Sequence, residues 1–106
     1  MRPFKYIAPR AIDEICTALA EYGSDGRILA GGTDLLTGFG TPGVPMPKVL
    51  VDISRVEGLD EIVESDGSIA LKPMATHAQL VRSGLLLEHA PLLTVAASTV
   101  GSPQIR

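Results

Sequence analysis

The residues of this sequence best suited to chemistry are two adjacent glycines set between an apolar run and a pair of leucines. Leu29-Ala30-Gly31-Gly32-Thr33-Asp34-Leu35-Leu36 passes from a strand-like segment through the Gly pair to a hydroxyl residue and an acid. Glycine tolerates positive φ and lets a ligand approach the backbone with no Cβ in the way. Successive amide N–H groups in such a turn form a concave anion site suited to phosphate. Thr33 would add a hydroxyl donor there, and Leu35 and Leu36 would anchor the turn in the core. The same two glycines equally serve a strand-to-helix turn with no ligand, and local chemistry leaves both readings open. No Gly-Lys-Ser/Thr follows, as a nucleotide phosphate loop would need, and no third glycine completes a dinucleotide fingerprint.

The other reactive side chains point to ordinary structural roles. His77 and His89 are the only histidines, and neither lies near a second His or Cys in the sequence, which argues against zinc. His77 follows Thr76 at a helix start and reads as structural, and His89 in Glu88-His89-Ala90-Pro91 reads as a solvated helix end. Ser54, Ser65, Ser68, Ser83, Ser98 and Ser102 include none in a Gly-x-Ser-x-Gly elbow, so nucleophilic catalysis has no support. One cysteine, Cys16, provides neither an internal disulfide nor a Cys-based zinc or iron–sulfur site within the chain, and a reducing cytoplasm is the default compartment. Cys16 reads as a core residue of the first helix. Asp60, Glu61 and Glu64 flank a hairpin and read as a solvated face. No catalytic residue and no metal ligand is assigned.

The elements that must position the Gly pair follow from periodicity. Phe4-Lys5-Tyr6-Ile7 alternates and is stopped by Pro9, as a short strand would be. Ile12, Ile15, Cys16, Leu19 and Ala20 form a helical stripe, with Asp13 and Glu14 in the first turn and Gly23 as the stop. Arg27-Ile28-Leu29-Ala30 is a strand leading into the glycines. Residues 37–48, rich in Gly and Pro, form a loop, and Val49-Leu50-Val51-Asp52-Ile53 is an apolar strand. This β-α-β-loop-β order fits a small parallel sheet with a covering helix. Beyond Ser54, Ser65-Asp66-Gly67 predicts a hairpin. Thr76 caps a helix, and Leu85–His89 and Leu92–Ala97 form further short helices broken by Gly84 and Pro91. The division is expected near 1–54 and 55–106, with the second part incomplete.

The chain has 106 residues, 45% hydrophobic and 20% charged, with a formal net charge of −3, which is a globular composition. An acidic chain with no basic run carries no electrostatic footprint for nucleic acid. Phe4, Tyr6, Tyr22 and Phe39 are its only aromatic residues, too few for base-stacking surfaces. The apolar runs are too short to span a bilayer, and Met1-Arg2-Pro3-Phe4-Lys5 leads into no signal-like apolar segment.

Several segments together resemble one family. They are Phe4-Lys5-Tyr6, the Leu29–Leu36 run, Val49-Leu50-Val51-Asp52-Ile53, Thr76-His77-Ala78-Gln79-Leu80 and His89-Ala90-Pro91-Leu92-Leu93, continuing through Val100-Gly101 to Ser102-Pro103-Gln104-Ile105-Arg106. The pattern is similar to the FAD-binding medium subunit of molybdenum hydroxylases, the group that includes carbon monoxide dehydrogenase and xanthine dehydrogenase. The resemblance implies an α/β (α+β) fold, the N-terminal part of the FAD-binding fold of vanillyl-alcohol oxidase, with a small βαββ subdomain followed by the start of a second. It implies that Leu29, Ala30, Gly31, Gly32, Thr33, Asp34, Leu35 and Leu36 wrap the FAD pyrophosphate, and that Val100 and Gly101 border the flavin. It also implies an oxidoreductase component that passes electrons from iron–sulfur centres to FAD and on to an external acceptor. Its partners would be a molybdopterin-containing large subunit and a [2Fe-2S] small subunit, and its compartment cytoplasmic.

The chain departs from the family pattern at Lys72-Pro73, where family members carry Gly-Ala; proline lacks an N–H and fixes φ, which puts a ladder bond or a close flavin contact there in question. Family chains also continue past the Pro-Gln-Ile-Arg segment into a second glycine-rich loop. The expectation is therefore an N-terminal fragment, inactive by itself and prone to self-association. The alternative is a non-enzymatic remnant that folds or dimerises without flavin.

Overall fold

The computed structural model describes residues 4–106; Met1-Arg2-Pro3, on which the signal-peptide reading partly rests, lies outside them. The chain forms two compact units, the first ending at Glu57 and the second beginning at Gly58.

In the first unit, β1 (Lys5–Ile7), β3 (Val49–Asp52) and β2 (Gly26–Leu29) form a parallel sheet in the order β1-β3-β2. The apolar Val49-Leu50-Val51 run is thus in the central strand. Leu50 is 2% and Val51 0% exposed, as expected of a parallel strand covered on both faces. Helix α1 (Ile12–Tyr22) buries Ile15 and Ala18 and half-buries Leu19 and Tyr22. The inward stripe is therefore rotated from the one the apolar residues predict: Ile12, Cys16 and Ala20 face solvent. Cys16 is not a core residue. Small Ala18 fits close to the strands, and the half-buried Tyr22 accepts a hydrogen bond from the exposed Lys5 Nζ at 2.8 Å.

Residues 38–48 return the chain irregularly to β3. Lys48 N–H donates to the Asp25 carbonyl at 2.9 Å, Lys5 N–H donates to the Lys48 carbonyl at 2.8 Å, and the Phe39 ring lies 6.3 Å from that of Phe4.

In the second unit, β4 (Ile62–Ser65) and β5 (Ser68–Leu71) form the antiparallel hairpin predicted from Asp66-Gly67. Both turn residues have positive φ, 49° and 78°, as a two-residue hairpin turn requires. Pro73 costs the ladder nothing. Lys72 N–H donates to the Glu61 carbonyl at 3.0 Å and Met74 N–H to the Leu59 carbonyl at 2.7 Å. In an antiparallel pair alternate residues point their N–H away from the partner, and Pro73 falls on such a position.

Helices α3 (His77–Arg82), α4 (Gly84–His89) and α5 (Pro91–Ser98) complete this unit. Thr76 caps α3 in a full capping box: its hydroxyl accepts from Gln79 N–H, and the Gln79 side chain accepts from Thr76 N–H. Gly84 and Pro91 begin helices rather than only interrupting them; Pro91 sits in the first turn, where a missing N–H removes no helical bond. Thr76→Ala is expected to lower stability by about 1 kcal/mol, read as a shift in the denaturation midpoint.

Candidate functional site

The Gly pair lies in the first unit, where β2 gives way to α2 (Thr33–Thr37). Gly32 is the N-cap of α2 and is left-handed, with φ 83° and ψ −6°. That value explains the glycine, since L side chains rarely adopt it. The first backbone bond of the helix runs from Leu36 N–H to the Gly32 carbonyl at 2.9 Å, and no side chain caps the turn. The amides of Thr33, Asp34 and Leu35 therefore have no helical acceptor and face outward, as at any helix start. Gly31 is exposed, and a Cβ built on it would meet nothing within 4 Å. At Gly32 a Cβ would lie 3.0 Å from Leu36 Cδ1 and 3.3 Å from Leu29 Cδ1. The turn is thus open outward at Gly31 and underpinned by leucine side chains at Gly32. Such a donor set, neutral amides around an open backbone, fits a phosphate.

Leu29–Leu36 are brought together because they are contiguous. Ala30, Thr33 and Asp34 are exposed, Leu29 and Leu35 half-buried, and Leu36 remains 50% exposed, so the two leucines anchor the turn less completely than expected. Val100 and Gly101 belong to the second unit, just after α5. Gly101 has φ 55°, and a Cβ there would lie 3.0 Å from Ile105 Cγ2. Arg106 holds this bend, its Nε donating to the Val100 carbonyl at 2.8 Å, while its own carbonyl accepts from Ala78 N–H at 2.8 Å.

Tyr6 and Asp52, to which the sequence assigns no site role, form a pair across β1 and β3. The Tyr6 hydroxyl donates to Asp52 Oδ2, and Asp52 Oδ1 accepts from Ser54 N–H at 2.9 Å. Burial pushes the Asp52 carboxyl up, but the hydrogen bonds from Tyr6 and Ser54, together with the Arg55 charge, outweigh it and hold it below the usual carboxylate range. The same hydrogen bond, with smaller contributions from burial and the Asp52 charge, raises the Tyr6 hydroxyl above its ordinary value. The only sequence signal for the pair would have been the strand order, which brings β1 beside β3. Because the folded-state pKa of Asp52 is lowered, its stabilisation is fully present above about pH 4, the unfolded value, and is lost as pH falls through the folded value. Tyr6→Phe is expected to reduce this acid-side loss, measured as denaturation midpoints between pH 7 and pH 3.

Among the described residues, no group of three or more His, Cys, Asp or Glu side chains is placed to hold a metal ion. No helix among them is long and apolar enough to cross a membrane.

An open, amide-lined Gly turn at the C-terminal end of a parallel strand has the geometry of backbone turns that can accept a phosphate. The model of the FAD binding domain in molybdopterin dehydrogenase matches residues 2–106, and the chain belongs to that family, whose cofactor is FAD. It is 36% identical over 108 residues to the 6-hydroxypseudooxynicotine dehydrogenase complex subunit alpha of Paenarthrobacter nicotinovorans, covering 100% of this chain and 36% of that protein. It is 33% identical over 110 residues to the carbon monoxide dehydrogenase medium chain of Hydrogenophaga pseudoflava, covering 97% of this chain and 36% of that one. Among solved structures, carbon monoxide dehydrogenase from the same organism, in a form lacking the Mo-pyranopterin moiety of its cofactor, superposes with a TM-score of 0.90 at 33% identity. The match covers 100% of this chain and 37% of the other. The α/β fold is thus shared with the matched part of that carbon monoxide dehydrogenase chain, and the chain spans little more than a third of the length of the relatives it matches.

Proposed function

We propose that residues 1–106 supply the diphosphate-binding part of the FAD site in a flavoprotein subunit of a molybdenum hydroxylase-type oxidoreductase. The observation that carries this reading is the left-handed Gly32 cap with its outward amides at the end of β2. In that role Leu29–Leu36 hold the FAD diphosphate, chiefly through backbone N–H groups, and Val100 and Gly101 border the flavin. FAD supplies the redox chemistry; the chain's part is to bind and orient it. Electrons would reach the flavin from iron–sulfur centres on a [2Fe-2S] small subunit, which receives them from a molybdopterin-containing large subunit, and would leave to an external acceptor. The complex would work in the cytoplasm, which suits a chain with one exposed, unpaired cysteine.

Competition tests the diphosphate assignment in the flavoprotein carrying this chain. ADP, which keeps the diphosphate, is expected to displace FAD, whereas riboflavin, which lacks it, is not. Riboflavin competing as well as ADP would refute the assignment.

The 106 residues alone are proposed to be inactive and to bind FAD weakly, since the relatives use nearly three times this length. Each missing charge-assisted hydrogen bond removes about 1.5–3 kcal/mol. Calorimetry should find no affinity tighter than about tens of micromolar, at about 1.4 kcal/mol per decade. Flavin that stays on the 106-residue chain through gel filtration would refute this.

A further inference from the structure

We propose that Asp52, held by Tyr6, is a positioning residue for the Gly31–Gly32 turn; this rests on the diphosphate reading of that turn.

Asp52 is the ladder partner of Leu29, the last residue of β2 before the turn. Just beyond it, Ile53 N–H donates to the Leu29 carbonyl at 3.1 Å. Leu29 in turn supports the turn from below, its Cδ1 lying 3.3 Å from where a Cβ of Gly32 would stand. Leu29 is therefore fixed by β3 through its backbone and touches the turn through its side chain.

What fixes the end of β3 is the Asp52 carboxylate. One oxygen accepts the Ser54 amide and bends the chain out of the strand, and the other accepts the Tyr6 hydroxyl from β1. With β3 central, the pair ties Tyr6, the middle residue of β1, to Asp52, the last residue of β3, whose ladder partner Leu29 ends β2. Both oxygens are already engaged, and a carboxylate would repel a diphosphate directly. Asp52 thus acts through the backbone, by holding Leu29 and the outward amides in register for the ligand. Parallel strands this short have few ladder bonds with which to hold their ends, so a side-chain tie between β1 and the end of β3 adds to the local order.

The test measures FAD affinity and thermal stability together in the flavoprotein carrying this chain. Asp52→Ala is expected to weaken FAD binding about tenfold, the size of one charge-assisted hydrogen bond, and Tyr6→Phe several-fold. Asp52→Asn keeps an oxygen for Ser54 N–H and a polar group for Tyr6, so it should stay within about threefold of the parent. Gly67→Ala, at the hairpin tip of the other unit, should lower stability through its positive φ with no change in FAD affinity, which separates positioning from general destabilisation. The inference is overturned if Asp52→Ala and Tyr6→Phe bind FAD as the parent does, if Asp52→Asn fails as badly as Asp52→Ala, or if Gly67→Ala weakens FAD equally. Gly32→Val distinguishes the two levels. Retained FAD in that variant defeats the diphosphate reading itself; lost FAD there, with normal binding in Asp52→Ala, defeats only the role of Asp52.

Discussion

Gly32→Val is expected to lower the FAD affinity of the flavoprotein carrying this chain by at least about a hundredfold, the equivalent of roughly two charge-assisted hydrogen bonds. Two effects combine. The residue stands at φ 83°, where a β-branched side chain is strained by about 1–3 kcal/mol. Its Cβ would also come within 3.0 Å of Leu36 Cδ1, so the leucines beneath the turn must give way and the amides they support must move. Gly31→Val separates binding from folding. A Cβ at Gly31 meets no protein atom within 4 Å, and Gly31 is not among the positive-φ residues. Its valine should leave thermal stability nearly unchanged while occupying the space through which a diphosphate reaches the backbone. Flavin absorbance after gel filtration and denaturation midpoints read the two effects. Stoichiometric FAD in both variants would refute the assignment of Leu29–Leu36.

The 106-residue chain is expected to self-associate through the outer face of α5. Helix α5 buries Thr94 and Ala97, yet its opposite side carries Leu92 at 79% and Val95 at 60% exposure, with Leu87 of α4 at 63%. A helix apolar on all sides has the composition of a buried one, and contiguous apolar surface on a soluble monomer usually marks an interface. Burying about 400 Å² at roughly 25 cal/mol/Å² offers about 10 kcal/mol gross, against an association cost of about 4–15 kcal/mol. Light scattering over a concentration series should show a dimer or larger species. Leu92→Glu combined with Val95→Lys should shift it to monomer without loss of fold, because neither side chain is buried. A monomeric parent at high concentration, with no binding of hydrophobic dye, would show that this face needs no cover.

Much of the architecture was legible from local chemistry. The β-branched run Val49–Ile53, the Asp66-Gly67 hairpin, the Thr76 cap and the Gly pair after a strand each depend on neighbouring residues alone: a turn needs positive φ, a cap needs a hydroxyl, and a doubly covered strand needs apolar residues throughout. Order along the chain then made the family recognisable. Tertiary structure decided what depends on which surface lies opposite. Helix α1 turned Ile15 and Ala18 inward and left Ile12 and Cys16 in solvent, because which side of a helix is buried depends on the surface it meets and not on its own periodicity alone. Pro73 leaves the ladder intact because the two-residue Asp66-Gly67 turn sets a register that puts its missing N–H on the non-bonded side. Tyr6 and Asp52 lie far apart in sequence, and only the β1-β3-β2 order brings the hydroxyl to the carboxylate, beside the strand that carries the Gly turn. Backbone conformation is set by neighbours along the chain, whereas the meeting of side chains is set by the order and register of strands distant in the chain, which local sequence does not encode.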